Sequence, residues 1–374
     1  MHGRRRALHK ESVMVGNTAR RGLGEIGPAC RGEQTVSVSG RLVLIAVIAF
    51  LTLIDLFGSQ ALLPRLVEEY GADPAVMGFA VNASTLGMAA SGLTVAWFAD
   101  RIDRKRGIWL SLSLLAIPTT LLAFTKDTTL FAVLRIAQGV FMAAAFTLTM
   151  TYIAETMSRR AAAGAMAAYI TGNVASNLFG RLMAASLADV VGISGSFLGF
   201  AALNLAGGYI AYRYLVPAMP PAPACASPLA AWKHHLSAPR MRAAFAIGFI
   251  ILFVFVGTFT YVNLELVGPR LGLDDAYLGL VYLVFLPSLV TTAFAGTLAH
   301  RLGARRLFLL ATAGTLVGFA MLLPPSLPLV LAGLAVVGMG TFFAQAAVTG
   351  YVGRAAEADV AAANGRYLTS YYLG

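Results

Sequence analysis

The chain alternates between long apolar runs and short polar connections. Ten runs approach the roughly 20 mostly apolar residues that a helix needs to span a membrane, and an eleventh begins near Ala361 and reaches Gly374. Their lengths and their many Ala, Leu and Gly residues favour helices, one of the two structures that satisfy the backbone in lipid. The pattern predicts an all-α, polytopic membrane protein. The ten runs cover residues 42–63, 75–98, 107–125, 129–153, 161–186, 194–216, 243–267, 276–299, 306–323 and 328–351.

Composition strengthens this interpretation. The chain has 374 residues, of which 58% are hydrophobic and 12% charged, with a mean hydropathy of +0.75. A soluble domain is about a quarter charged, so too little polar surface is present to cover a water-soluble body. The net charge of +11 would suggest a nucleic-acid partner in a soluble protein. Here the basic residues lie between apolar runs, so we predict a lipid bilayer and no nucleic acid as the partner.

The basic connections predict the orientation of the chain. Lys and Arg collect on the cytoplasmic side of membrane proteins. One side holds most of the basic connections, whereas the other has only Arg65, Lys126 and Arg270. We therefore expect a bacterial inner-membrane protein with its N-terminus in the cytoplasm. Residues 1–41 are polar and basic and are predicted to be a disordered cytoplasmic tail; a start site nearer Met14 and a lipid-binding tail are the alternatives.

A charged connection occurs twice. AWFADRIDRKR at Ala96–Arg106 aligns with GTLAHRLGARR at Gly296–Arg306. A repeat at this spacing predicts two similar halves of six helices each. The first half covers 42–216, a Pro- and Ala-rich cytoplasmic linker covers 217–242, and the second half covers 243–374. The second half ends inside its fifth helix, so we expect about 11 of 12 helices and a chain truncated at its C-terminus.

The repeat resembles a motif of the major facilitator superfamily of secondary transporters, in its efflux-type, 12-helix branch. That motif, G-x-x-x-D-R-x-G-R-[RK], lies between helices 2 and 3. The matching residues of the first copy are Asp100, Arg101, Arg104 and Lys105, with Ala96 and Asp103 in place of the glycines. The aligned residues of the second copy are Gly296, His300, Arg301, Gly303 and Arg305, with His300 in place of the acid.

The resemblance implies that the two loops gate the transporter. In the family, the acid is thought to hold the halves together on the cytoplasmic side, which makes helix 11 the expected partner of Asp100. An anion at the C-terminal end of a helix is disfavoured by the helix dipole, so Asp100 needs compensating positive charge. The alternative is that these charges only set the topology of the chain.

Asp55 and Arg135 are charged residues deep inside predicted membrane helices. LRIAQG in helix 4, with Arg135, Gln138 and Gly139, resembles a family motif, R-x-x-Q-G. A buried arginine needs a partner or a wet cavity, and Asp55 in helix 1 is the most natural partner. Burial favours a neutral carboxyl group whereas a nearby guanidinium favours a carboxylate, so Asp55 is a candidate for proton coupling. A fixed structural pair is the alternative.

Helix 5 carries small residues at a spacing of four. Gly172, Ser176 and Gly180 share one face, along which helices can approach closely. The stretch partly resembles the family's antiporter motif, and the candidate polar contacts here are Asn173 and Arg181. Arg181 is predicted either to contact an anionic substrate or to reach the outer interface. Packing alone is the alternative for this face.

No other chemistry stands out. The sequence contains no phosphate-binding loop, catalytic dyad or metal-ligand spacing, so we expect no enzyme activity, cofactor or metal. The resemblance implies a monomeric transporter that works by alternating access. Proton-coupled efflux of a small drug-like or sugar-like solute is the first hypothesis. The alternatives are a facilitator or importer of an organic anion, with Arg135 and Arg181 facing the cargo, and an inactive remnant of such a transporter.

Overall fold

The computed structural model describes residues 38–98, 102–218, 239–292, 294–355 and 360–374. Every regular element in these ranges is helical. The prediction of an all-α, polytopic membrane protein is confirmed. The helices are α1 (Val38–Ala61), α2 (Leu63–Tyr70), α3 (Pro74–Asn82), α4 (Ser84–Phe98), α5 (Arg104–Leu122), α6 (Thr128–Thr156), α7 (Arg159–Tyr214), α8 (Pro239–Val267), α9 (Asp275–Val281), a 3-10 helix (Tyr282–Phe285), α10 (Leu286–Thr292), α11 (Ala295–Leu302), α12 (Ala304–Leu322), α13 (Leu327–Ala355) and α14 (Val360–Leu373).

Six segments in the described part of the chain are long and apolar enough to cross a membrane. The segment in α7 is unusually long because it contains two of the predicted runs. Gly192 divides them, with φ 72° and ψ −178°, a backbone conformation that favours glycine. The six segments are Ser39–Ala61, Thr128–Ile153, Gly164–Tyr214, Pro239–Val267, Ala304–Leu322 and Leu327–Thr349.

Two of the predicted runs are divided into shorter helices. The run 75–98 is interrupted at Ala83, between α3 and α4. The run 276–299 is divided into α9, the 3-10 helix, α10 and α11. Hydropathy does not mark these breaks, because each run is apolar as a whole despite polar residues beside a break, such as Asn82 and Ser84. The breaks matter for the site, since each lies beside a polar group that faces the interior of the helix bundle. These groups are the Val81 carbonyl and the Tyr282 hydroxyl.

Glycines allow the helices of the first part of the chain to pack closely. A methyl group at Gly139 of α6 would lie 1.8 Å from the carbonyl oxygen of Ser84, and one at Gly87 of α4 would lie 2.0 Å from that of Ile136. The α4 and α6 backbones are therefore in contact, which only residues without a side chain permit. This contact carries Arg135 of α6 to the break between α3 and α4.

Helix α14 packs against α4 and α8. A methyl group at Gly92 of α4 would lie 2.9 Å from the Thr369 hydroxyl oxygen of α14.

Several predicted features lie outside the described residues. These are Asp100 and Arg101, residues 1–37 of the predicted tail and residues 219–238 of the predicted linker.

Candidate functional site

Arg135 is held in the interior by backbone and neutral side-chain oxygens. Its Nε donates to the Val81 carbonyl at 2.8 Å, at the end of α3 ahead of the break. Its Nη1 donates to Gln138 Oε1 at 2.6 Å, and its Nη2 to the Ser84 hydroxyl at 3.0 Å. The last carbonyls of a helix have no partner within the helix, so the break supplies an acceptor to the guanidinium. Arg135 is fully buried.

The expected ion pair between Asp55 and Arg135 does not form. Arg135 Nη1 donates to the main-chain carbonyl of Asp55, at 3.3 Å, and not to the carboxylate. The two side chains are joined indirectly, because Gln138 Nε2 donates to the Thr119 hydroxyl at 2.6 Å and that hydroxyl lies 3.4 Å from Asp55 Oδ1. The physical reason is that Gln138, three residues from Arg135 on the same helix face, lies nearer to the guanidinium.

The Asp55 carboxyl group is poorly supplied with donors. It is fully buried, and its Oδ2 makes no hydrogen bond with any described residue. Asn204 of α7 lies beside the same group and donates to the Thr119 hydroxyl at 3.3 Å, while its own Oδ1 also makes no hydrogen bond. The carboxyl group is therefore near a cation, inside the protein, and has an oxygen on which a proton can be held.

Arg181 is held in a second polar cluster, which contacts α1 at Gln60, five residues beyond Asp55 and near the C-terminal end of the helix. It does not reach an outer interface, because it is fully buried. Its Nε donates to Asn177 Oδ1 at 3.1 Å, its Nη1 to the Phe259 carbonyl at 3.0 Å, and its Nη2 to Gln60 Oε1. Arg181 thus joins α7 to α1 and α8.

Neutral amides extend this cluster. Gln60 Nε2 donates to Asn82 Oδ1 at 2.9 Å, and Asn263 Nδ2 donates to the Gln60 carbonyl at 3.2 Å. The Tyr282 hydroxyl donates to Asn263 Oδ1 at 2.9 Å. Helices of both predicted halves therefore meet around one guanidinium. We call the set Gln60, Asn82, Asn177, Arg181, Asn263 and Tyr282 the Arg181 cluster.

Aromatic rings surround the Arg181 guanidinium. Its Cζ lies between 5.2 and 5.9 Å from the centroids of four rings, within the range of cation–π attraction. None of the described Asp or Glu side chains forms an ion pair with it; the ion pairs of described residues join other groups. The cation is desolvated, and its described hydrogen-bond partners are all neutral. The four rings belong to Phe57, Phe259, Tyr282 and Phe285.

The small residues of α7 lie against α1. A methyl group at Gly172 would lie 2.2 Å from the Ala46 carbonyl oxygen, and one at Gly180 would lie 3.0 Å from that of Ile54. The Ser176 hydroxyl donates to the Asn173 carbonyl within α7, at 2.6 Å. The Asn173 Oδ1 is buried and makes no hydrogen bond with a described residue. This close approach brings Arg181 to Gln60.

The first charged connection is held by an ion pair. Arg104 donates from Nε and Nη2 to the two carboxylate oxygens of Glu155, at 2.9 and 2.8 Å. Asp103, which replaces a motif glycine, caps α5 by accepting from the Arg106 backbone N–H at 2.8 Å. Lys105 lies 5.7 Å from the centroid of the Tyr212 ring. Two acids therefore compensate the basic start of α5.

Among the described residues, the second charged connection shows neither a capping side chain nor an ion pair. Gly303, with φ 81°, precedes α12 and offers no capping side chain. Arg301 and Arg305 are exposed. Gly296 and His300 lie in α11, and the structure describes their backbone only. The two copies of the repeat therefore differ in their local electrostatics.

Replacing Glu155 with glutamine is expected to lower the thermal stability of the purified protein. The Arg104 side chain is 1% exposed and would face a neutral amide, whereas Glu155 is 21% exposed. A charge-assisted bond of this kind contributes about 1–3 kcal/mol. Asp103→Asn is the matched control, since asparagine caps a helix as well as aspartate. Equal melting temperatures in detergent for all three proteins would contradict a stabilising role for this pair.

Sequence reasoning missed most of the Arg181 cluster. Gln60, Asn82 and Asn263 are single amides in apolar runs, and Asn263 is 203 residues from Gln60. The available signal was the rarity of such side chains inside membrane helices. Glu155 was missed because it lies at the end of a run.

No group of three or more potential metal ligands occurs in the part of the chain that the structure describes.

Membrane-spanning helices packed around buried charges and amides define a polytopic integral membrane protein of the transporter class. The chain belongs to the Major Facilitator Superfamily, whose family model matches residues 45–374. It is therefore a membrane transporter and not an enzyme.

Comparisons with individual proteins agree with this assignment. The inner membrane transport protein YnfM of Escherichia coli is 27% identical over 322 residues, covering 85% of this chain and 77% of the relative. A gallate transporter of Pseudomonas putida is 30% identical over 146 residues, covering 38% of this chain and 32% of the relative. The crystal structure of a bacterial homologue of the lysosomal transporter Spinster superposes with a TM-score of 0.70 at 15% identity, covering 90% of this chain and 78% of that one.

Proposed function

We propose that the chain is a proton-coupled secondary transporter that moves a small organic anion by alternating access. The anion binds to Arg181, between the two halves. The observation that carries the proposal is the buried Arg181 guanidinium, surrounded by rings and neutral oxygens without a described acid. A buried charge that lacks a counter-ion has an unfavourable free energy, because its desolvation is not compensated. An anionic substrate supplies that counter-ion when it binds.

The hydrogen bonds of Arg181 favour a carboxylate-type substrate. Three of its N–H groups donate to neutral oxygens, one of which is the backbone carbonyl of Phe259. A carboxylate can form two parallel bonds with a guanidinium, and both partners then carry charge, whereas the present acceptors are neutral. The rings around the guanidinium suit a flat, apolar body. One relative is named as a gallate transporter, and gallate is an aromatic carboxylate. This name supports the same class of substrate for this chain.

The position of Arg181 favours alternating access. It bonds to α1 and α8 at once, and these helices belong to different predicted halves. An anion that competes for the guanidinium weakens the contacts between the halves, so binding and opening become linked. A ligand can shift such an equilibrium only through different affinities for the two states.

Asp55 is the proposed proton-coupling group and Arg135 and Gln138 its modulators. The carboxyl group connects to Arg135 through Thr119 and Gln138, and its Oδ2 accepts no hydrogen bond from a described residue. Protons are therefore the proposed coupling ion. Efflux of a drug-like or sugar-like solute, the bacterial inner membrane, the cytoplasmic N-terminus and the monomeric state stay predictions.

Matched pairs of substrates test the proposal. Purified protein in liposomes is tested for counterflow of aromatic carboxylates, such as gallate and 4-hydroxybenzoate, and of the corresponding amides. We expect saturable exchange of the carboxylates and at least tenfold slower exchange of the amides, which differ mainly in charge. Equal exchange of both members of each pair would contradict an anion site. Exchange of neutral sugars alone would favour the efflux hypothesis instead.

A further inference from the structure

A cavity of about 500 Å³ lies between the start of α8, the start of α12 and the end of α13. This volume is within the range of about 300–1,000 Å³ that holds small ligands. Its walls are mainly apolar, with Ala244, Phe308 and Val348 among them, and Arg240, Arg305 and Tyr351 also line it. We infer that this cavity binds an anionic phospholipid, with the phosphate at the two arginines and the start of an acyl chain against the apolar wall.

The two arginines are in electrostatically unfavourable positions without an anion. Arg240 and Arg305 each lie in the first turn of a helix, where the positive end of the helix dipole disfavours a cation. Both side chains are exposed. Neither forms a hydrogen bond or an ion pair with another described residue. A phosphate between them would compensate both arginines and both helix ends.

At the second copy of the repeat, no described residue takes the place of the two acids of the first. At the start of α5, Asp103 caps the helix and Glu155 pairs with Arg104. At the start of α12, the aligned residue is Gly303, which offers no side-chain cap. The first-turn N–H groups of α12 are thus open to an external acceptor, in the arrangement that binds phosphate groups at helix N-termini. The ligand would supply the negative charge that the protein itself supplies at α5.

A membrane lipid fits this cavity better than the transported anion. Ile247 of the cavity wall and Phe259 of the Arg181 site are 12 residues apart on α8, or about 18 Å. The cavity is therefore separate from the proposed transport site. Basic pockets between membrane helices at the cytoplasmic side are typical sites for anionic head groups, and the apolar wall suits a chain that only a lipid carries.

Binding of phosphatidylglycerol to the full-length, purified protein in detergent tests the inference. The probes are a short-chain phosphatidylglycerol, the matching phosphatidylcholine, and glycerol phosphate, which has the anionic group without the chains. Native mass spectrometry counts bound lipid and gives affinities. We expect preferential binding of phosphatidylglycerol to the wild-type protein. We expect Arg240→Gln/Arg305→Gln to weaken it about 25-fold, since each surface arginine contributes roughly fivefold.

Two further variants separate the cavity from general surface charge. Arg106→Gln/Arg213→Gln removes two other exposed arginines and should leave the affinity within about twofold. Ala243→Trp fills the cavity at an exposed lining position without a change in charge and should weaken phosphatidylglycerol binding at least tenfold. The inference would be overturned if Ala243→Trp bound phosphatidylglycerol as tightly as the wild-type protein does, or if the two double variants lost the same affinity. It would also be overturned if glycerol phosphate bound as tightly as phosphatidylglycerol. If the first double variant is not monodisperse, Ala243→Trp decides.

Discussion

Replacing Arg181 with glutamine is expected to abolish binding and transport of the organic anion. The substitution keeps an amide that can still hydrogen-bond near Asn177 and Gln60, but it removes the buried charge. Removal of one partner of a buried charge pair costs about 3–5 kcal/mol. At 1.4 kcal/mol per factor of ten, the dissociation constant should rise by roughly 100- to 4,000-fold. Equilibrium binding of gallate in detergent and counterflow in liposomes measure the two effects.

Arg213→Gln is the matched control for this experiment. Arg213 is an exposed arginine in the last turn of the same helix, α7, and lies near the Tyr214 ring. Its loss should leave binding and counterflow within about twofold, as is usual for surface substitutions. Counterflow of carboxylates by Arg181→Gln at the wild-type rate would remove Arg181 from the substrate site.

Gln60→Glu tests the same site without removal of the arginine. Gln60 Oε1 already accepts from Arg181 Nη2, so glutamate at this position provides an internal counter-ion of nearly the same shape. We expect this variant to lose anion binding and to melt at a higher temperature than the wild-type protein, because the guanidinium is now paired. Anion binding that is unchanged in Gln60→Glu would show that the substrate does not need the Arg181 charge.

Hydropathy predicted apolar runs that are helical in the structure, but not where those runs break. The run 75–98 reads as continuous, yet it is interrupted at Ala83. Asn82 and Ser84 beside Ala83 are polar, but the run as a whole stays apolar, so its hydropathy does not show the break. The break has a tertiary cause, because it lies where Arg135 Nε donates a hydrogen bond to the Val81 carbonyl.

The candidate site was only partly predictable for a related reason. Arg135, Asp55 and Arg181 stand out because charge is rare inside a membrane. The partners of the two arginines do not stand out, because they are neutral amides, a hydroxyl group and backbone carbonyls. Asp55 was expected to bind the Arg135 guanidinium directly, and two intervening side chains, Gln138 and Thr119, connect them instead. A sequence indicates which groups need partners, and the fold decides which neighbour is nearest.

Asp55→Asn is expected to abolish accumulation driven by a pH gradient while exchange of the anion continues. Asparagine has the shape of a protonated aspartate and cannot release a proton, so the variant keeps one protonation state through the whole cycle. The group is fully buried, and its Oδ2 has no donor among the described residues. A gradient of one pH unit corresponds to about 1.4 kcal/mol, so coupling to one proton supports roughly tenfold accumulation. The variant should show none.

Liposomes with an imposed pH gradient measure this directly, with accumulation of the labelled anion and counterflow recorded on the same preparation. Asp73→Asn is the matched control, because Asp73 caps α3 through its side chain and asparagine caps equally well. We expect the control to accumulate like the wild-type protein, and Asp55→Asn to retain counterflow within about twofold of it, since Arg181 is unchanged. Tenfold accumulation by Asp55→Asn would assign coupling to another group. If the wild-type flux also ignores the gradient, the transporter is a facilitator, and the Asp55 network has only a structural role.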